Sequence, residues 1–541
     1  MILAPNPKEW RVVSLTLLVG ALLCGGLLRT GAARVSAGVD EFFNGEWEYY
    51  GIGVQLAETG QFRPLPGWLP TAFRLPLQPT AVSLTRKLSP GMRTLRLVHA
   101  VMDTVAIVAV YAVAAGLAGG LAGGVAACLY AFSGPAIEQV AAPNIETFFG
   151  LLVTLALVGW TQACRRQGAA GAVVSGGLLG LTLSCRSTLV LFPLALAWVL
   201  PAVGWRQRLR NLALITGVSL LFVLPWTLRN AGLFKAFIPF EDGAVSLNLW
   251  GASVGLLKNP QVAALVQDPE YRDFLMEAQK APDRKRARVF LEESFKNIMR
   301  HPGRFLKGFF SRLPILWSEH WPLLLLSLPL FLCLGEKRKE VALPAGAWVL
   351  VLVLGYFSLQ AFMGATPRYF RPAAGAACAA AGVGLAGIWR RFSVKGSRTG
   401  EVQAVQWPLR ACSGAVFLCA AVWAVSAGQN LAEAWSRRGR LRAVPTEYGS
   451  AAGYYDALKR AGNLAVDFTF KNRTSDADYL LSELLALEPG FTEARWNRAW
   501  LRRLVGDRNG RSADLRVLAV GMEFPKGLPD PGAVQERLSE F

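Results

Sequence analysis

Histidine is nearly missing from this 541-residue chain: there are three, His99, His301 and His320, too scattered to hold a metal together. The eight cysteines (Cys24, Cys128, Cys164, Cys185, Cys333, Cys378, Cys412 and Cys419) lie within or at the ends of apolar segments, and none has CxxC spacing. They predict neither a disulfide framework nor a zinc site. GxSxG and a Gly-rich phosphate loop of the nucleotide type are also absent, which removes the serine hydrolase and nucleotide-triphosphatase readings. Charge is sparse at 17% of residues, and carboxylates are the scarcer sign, 37 against 57 Lys and Arg, for a net charge of +20.

What fills the chain is apolar residues, 53% of the total, with a mean hydropathy of +0.33. That composition belongs to an integral membrane protein. Lys8 and Arg11 ahead of a run to Leu28 read as an uncleaved signal-anchor. Apolar runs of spanning length fall near 12–28, 98–117, 120–136, 144–163, 171–186, 188–203, 211–228, 313–333, 341–362, 372–389 and 409–428. The expected fold is therefore an all-α polytopic membrane protein of about eleven transmembrane helices. So few residues join the runs within 98–136 and 171–203 that tight hairpins or bent helices are expected there. The basic residues cluster at span ends: Lys8 and Arg11, Arg165 and Arg166, Arg206 to Arg210, Lys337 to Lys339, and Arg390 to Arg398. Eleven spans put all of them on one side, which the positive-inside rule makes the cytoplasm. The same clustering explains the positive charge through orientation and anionic lipid and argues against nucleic acid as a partner.

The polar machinery is then expected on the extracytoplasmic side of a bacterial inner membrane. A transmembrane domain over 1–428 contains an active-site loop at 29–97 and a second extracytoplasmic segment at 229–312; a helical tail follows at 429–541. Within the first loop, a helix from Trp47 to Glu58 places Tyr49, Ile52, Val54 and Leu56 to rest on the membrane surface. Gly60 stops that helix, and Pro64, Pro66, Pro70, Pro76 and Pro79 predict a stiff, extended lid without a further helix. In the second segment, Asp283–Met299 and Arg304–Trp317 mix basic and large apolar residues at helical spacing, as interfacial helices do. The tail carries one helical hairpin, broken at Glu488-Pro489-Gly490, that resembles a single tetratricopeptide unit. One unit cannot bury its own faces as an array does, so a small capping domain is expected.

Several charged residues sit where a bilayer penalises them. Glu146 stands at the mouth of a span, where it is either a site residue or a carboxylate that complements a helix dipole. Glu138 precedes it in a short loop, and Asp40, Glu46 and Glu48 gather in the first loop. Arg186 interrupts the apolar stretch LTLSCRSTLVLFPL, where an unpaired guanidinium costs at least ~2.5 kcal/mol. It must meet a carboxylate, a phosphate or water. Arg229, Arg368 and Arg371 lie at other span ends, where planar forks suit phosphate oxygens and snorkelling is the ordinary alternative.

The order of these features resembles a known group. Glu48-Tyr-Tyr-Gly-Ile-Gly, Gly60-x-Phe62, Pro70-Thr71-Ala72-x-x-x-Pro76-x-x-Pro79, Glu146, Arg186, Pro225-Trp226-x-x-Arg229-Asn230, Asn248-Leu249-Trp250-Gly251 and Arg368-Tyr369 follow one another over about residues 10 to 390 as in bacterial GT-C superfamily membrane glycosyltransferases. The family 39-like members, related to protein O-mannosyltransferases and the lipid A aminoarabinose transferase, are the most similar. The resemblance implies a GT-C-type fold and inverting transfer of a sugar from a polyprenyl-phosphate donor to a lipid, glycan or protein acceptor at the outer membrane face. It implies Glu48 as the base, with Glu46 and Asp40 as rivals because Asp40-Glu41 lies eight residues early. Arg186, Arg229 and Arg368 become the donor-phosphate clamp, with Glu146, Glu138 and Tyr369 beside them. No cofactor is required by the spacing, and a divalent metal ion stays open. The rival class, a transporter or lipid-carrier flippase, predicts internal repeats and charge at the midplane, neither of which the sequence displays.

Overall fold

The computed structural model describes residues 7–35, 47–63, 71–72, 74–89, 92–141, 145–164, 168–200, 204–241, 244–257, 269–280, 283–334, 346–395, 462, 465, 474–487, 492–507, 510 and 513–514. These are almost wholly helical, with no strand among them. They divide into two compact units, Met1–Arg34 with Thr71–Ser436, and Val35–Pro70 with Arg437–Phe541.

The first unit begins with α1 (Pro7–Val35), the first apolar run. In the second unit, α2 (Trp47–Thr59) ends at Gly60, whose φ of +71° is the left-handed turn that glycine takes without strain. Tyr49, Ile52 and Val54 of α2 are buried in the protein and do not lie on a membrane surface as expected. Back in the first unit, α3 (Leu77–Leu88) starts inside the proline-rich stretch. Pro79 falls in its first turn, where a helical amide has no acceptor in any case, so this proline does not forbid a helix.

Next come α4 (Met92–Ala118) and α5 (Gly120–Ala131), a tight hairpin turned at Gly119 with φ +87°. Helix α6 (Gly134–Ala141) follows at a 56° bend from α5, and α7 (Ile145–Ala163) at the next span. Helix α8 (Ala169–Cys185) stops at Arg186, whose extended backbone (φ −154°, ψ 134°) leads through a 3-10 turn at Ser187–Leu189 into α9 (Phe192–Val199). Then α10 (Trp205–Phe234) lies against α8. Gly176 and Gly180 permit that approach, since a Cβ on Gly176 would stand 2.8 Å from the Ile215 carbonyl oxygen.

The second polar segment folds as α11 (Ala244–Ser253), α12 (Pro269–Lys280), α13 (Asp283–Arg300) and α14 (Pro302–Trp317), including both helices expected there. Trp250 of α11 packs with Tyr271, Phe274 and Phe290 into a small aromatic core, adding quadrupole contacts to area burial. Arg312 of α14 is fully buried; among the described residues it donates to the carbonyls of Ala252 (2.8 Å), Leu256 (2.9 Å) and Ala361 (3.3 Å). A cation there complements the C-terminal dipole of α11. The expected span 313–333 is split at Ser318–His320, after which α15 (Trp321–Leu334) begins with Pro322 in its first turn.

Helix α16 (Gly346–Ser358) and α17 (Ala374–Lys395) complete the described part of this unit. In α17, Gly382 faces α5 so closely that a Cβ would meet the Ala122 carbonyl oxygen at 2.5 Å. In the second unit, the tail hairpin is α18 (Thr474–Leu487) and α19 (Thr492–Leu504), held by Arg498 on Ser482 (3.1 Å) and Arg502 on Asp478 (3.1 Å), while Arg498 also forks onto Asp514 beyond the hairpin (2.5 and 2.9 Å).

Five helices among the described residues are long and apolar enough to cross a membrane, or six if the bent pair α5–α6 is one span, and three shorter apolar helices accompany them. The chain is thus polytopic in character. The expected span 188–203 is only the eight-residue α9, and 409–428 lies outside the described residues.

Candidate active site

Glu146 is the second residue of α7, where a carboxylate complements the helix dipole, and it is 1% exposed. Its Oε1 accepts a hydrogen bond from Arg186 Nη1 at 3.1 Å. Arg186 therefore finds a carboxylate, as its apolar flanks required, and its side chain keeps 17% of its surface exposed. The Arg186 guanidinium also sits 5.1 Å from the centre of the Tyr369 ring, with the Arg368 guanidinium 5.6 Å from the same ring. Arg368 and Tyr369 come from the 3-10 turn Pro367–Tyr369, and both Arg368 and Arg371 add to the positive field on Glu146.

Arg371 has a different commitment. It forks onto Glu319, Nε to Oε2 at 2.7 Å and Nη2 to Oε1 at 2.8 Å, and lies 3.9 Å from Glu138 Oε2. The planar fork expected to suit phosphate here grips a carboxylate bidentately. Glu319 was not singled out from the sequence; its only signal is an acidic residue at the edge of a span, in Ser318-Glu319-His320-Trp321. Next to it His320 is fully buried against Phe370, ring centroids 5.6 Å apart, and neither ring nitrogen hydrogen-bonds to the described residues.

Arg229 makes another set of contacts. Its Nη1 donates to the Thr71 carbonyl (3.0 Å) and to Asn230 Oδ1 (2.8 Å), and its guanidinium lies 4.5 Å from the Trp226 ring centre. Trp226 Nε1 and Asn230 Nδ2 in turn donate to the carbonyls of Phe240 (3.1 Å) and Ile238 (3.0 Å), holding the chain after α10. Glu241 at the end of that chain accepts from Ser187 Oγ at 2.6 Å, beside Arg186 in sequence. Glu241 and Ser187 carried no sequence signal, since a loop carboxylate and a serine are ordinary at a span end.

The structure thus joins Glu146, Arg186, Arg368, Tyr369, Arg371 and Glu138 of the expected residues and adds Glu319, while the contacts of Arg229 are with Thr71, Asn230 and Trp226. Asp40 and Glu46 lie outside the described residues, as does the side chain of Glu48, whose backbone opens α2. Among the described residues no three His, Cys, Asp or Glu side chains converge as a metal site. What the described group offers is concentrated, prepositioned guanidinium charge at helix ends, suited to an anionic oxygen.

Residues 76–228 match the family described as dolichyl-phosphate-mannose-protein mannosyltransferase. That interval contains Glu138, Glu146 and Arg186. No curated protein matches the chain. Solved structures overlap it loosely: the oligosaccharyltransferase of Archaeoglobus fulgidus tethered with an acceptor peptide is 17% identical, with 84% of this chain and 57% of that one covered, at a TM-score of 0.48. The same enzyme in its apo form is 14% identical over 77% and 56%, with a TM-score of 0.45. The chain spans a little over half the length of these archaeal structures. ArnT from Cupriavidus metallidurans bound to undecaprenyl phosphate is 14% identical over 72% and 79%, at 0.34. The chain is thus a helical membrane protein that over residues 76–228 is similar to the dolichyl-phosphate-mannose-protein mannosyltransferase family.

Proposed function

We propose that the protein is an inverting glycosyltransferase that moves a sugar from a polyprenyl-phosphate donor to a lipid, glycan or protein acceptor at the extracytoplasmic face of the bacterial inner membrane. The observation that carries this reading is the Glu146–Arg186 pair with Tyr369, set at the ends of helices inside and beside the family-matched interval. The family's description supports a lipid-phosphate donor.

In this reaction the acceptor oxygen attacks the anomeric carbon from the face opposite the phosphate. Its C–O bond forms as the bond to the phosphate oxygen breaks, the electron pair leaves with the lipid phosphate, and the acceptor proton passes to a carboxylate. Charge builds on the leaving phosphate, so fixed guanidinium groups lower the barrier most when they are held before the donor arrives. Arg186 is so held by Glu146, and the Arg368 guanidinium lies 5.6 Å from the centre of the same Tyr369 ring; Arg229 belongs to the clamp through the family's motif order. Glu48 is the proposed base, with Glu46 and Asp40 as rivals. The transmembrane domain 1–428 carries the chemistry, and the tail 429–541 is proposed to be a small extracytoplasmic helical domain.

Purified protein, a polyprenyl-phosphate sugar and a crude acceptor fraction test this directly. Wild type should yield glycosylated product, and Glu48→Gln should lower turnover by roughly 10²–10⁴ with donor binding retained. Loss in Glu46→Gln or Asp40→Asn, with Glu48→Gln active, would move the base to that residue. No product from wild type, or full activity in all three variants, would reject the transferase mechanism and favour a transporter.

A further inference from the structure

Arg29 of α1 and Asp103 of α4 form an ion pair with no exposed side-chain surface on either partner, Nε to Oδ2 at 2.5 Å. Arg29 Nη1 donates to the Ala131 carbonyl (2.8 Å) and Nη2 to that of Tyr130 (3.2 Å), closing the C-terminal end of α5. Tyr130 Oη donates to Asp103 Oδ1 at 2.7 Å, and Gln139 Nε2 of α6 reaches the same oxygen at 3.4 Å. One turn before Arg29, a Cβ on Gly25 would stand 2.7 Å from Ile107 Cδ1 and 3.0 Å from Ala131 Cβ, so a larger residue there would press on the side chains beside the pair.

Stability alone is a weak reason for such a pair. Two buried charges lose so much hydration that apolar residues of similar volume often serve a core as well or better. The geometry gives the pair another task. Gln139 gives its own carbonyl to Thr147 Oγ1 at 3.1 Å, and Thr147 follows Glu146. On the other side of Gln139 stands Glu138, 3.9 Å from Arg371. Helix α6 is only eight residues long and sits at a 56° bend, so its own hydrogen bonds do little to set its direction. It is hung between the buried pair and the candidate site.

We propose that the Arg29–Asp103 pair, through Tyr130 and Gln139, is a positioning device that sets α6 and the start of α7, and with them Glu146 against Arg186 and Glu138 against Arg371. This rests on the reading of Arg186 as a donor-phosphate residue. Arg29, Asp103, Tyr130 and Gln139 are positioning residues, since their contacts reach the candidate site through α6 and Thr147.

The test titrates undecaprenyl phosphate onto the full chain in nanodiscs and records thermal melting of the same samples. Two variants are compared with wild type: Arg29→Met/Asp103→Leu, which removes both charges and keeps the volume, and Gln139→Ala, which cuts the link to α6 and leaves no buried charge alone. Affinity should fall about fivefold in both while the melt of the double variant stays cooperative and near that of wild type. Wild-type affinity in both variants, whatever happens to the melt, would reduce the pair to a structural brace and overturn the proposal. Should the double variant not fold, Gln139→Ala decides in the same way. If wild type itself does not bind undecaprenyl phosphate, the donor reading fails first and takes this proposal with it.

Discussion

An arginine among leucines has to answer for its charge, and Arg186 does so through Glu146 at 3.1 Å with part of its surface still exposed. A guanidinium already fixed by a buried carboxylate is prepositioned for an anion that reaches its exposed part. Arg371, by contrast, is held at both nitrogens by Glu319, so its task is to shape the site. Arg186→Lys keeps the charge and loses the planar fork. The variant should fold, and its affinity for a polyprenyl-phosphate sugar should drop about tenfold, the loss of one charge-assisted contact. Equal donor affinity in a folded Arg186→Lys protein would remove Arg186 from the clamp.

Among elements, the turn Ser318–His320 between α14 and α15 links the site to protein stability. Burial holds the His320 imidazole down to about 4, with Glu319 opposing and Arg371 reinforcing the shift. In the unfolded chain the same ring takes up its proton near pH 6.5. The folded pKa is the lower one, so the stability of the neutral, buried ring is fully present above about pH 6.5 and is lost as pH falls from there toward 4. Melting temperature in detergent should decline over that window, and His320→Phe, which keeps the ring against Phe370, should flatten the decline. An unchanged slope in the variant would assign the acid sensitivity elsewhere. The adjoining elements α13 and α14 followed from their own amphipathic patterns. α3 was hidden because proline within a first turn reads in sequence like proline that breaks a helix.

At the scale of the whole molecule, orientation remains a matter of charge placement. Basic runs at one set of span ends predict the loop 45–79 and the tail outside and 390–408 inside. Single cysteines at Gln61, Ser397 and Ser450, in a background without the native ones, can be labelled with an impermeant reagent on intact spheroplasts. Gln61→Cys and Ser450→Cys should react at once and Ser397→Cys only after permeabilisation. The reverse pattern would invert the topology and with it the face on which transfer occurs.

Apolar run length and the positions of glycine and charge were enough to make this a polytopic helical protein, to end α2 at Gly60 and to require a partner for Arg186. These are local properties, since a helix in lipid must be long and apolar, and a lone charge there must be answered. Which carboxylate answers is a different question. Glu146 precedes Arg186 by forty residues, Glu319 precedes Arg371 by fifty-two, and Arg29 precedes Asp103 by seventy-four. No spacing rule couples residues so far apart. Those pairs arise only when α1 meets α4, α7 meets α8 and the turns ahead of α15 and α17 come together, in a packing that close approaches at small residues such as Gly176 and Gly382 support.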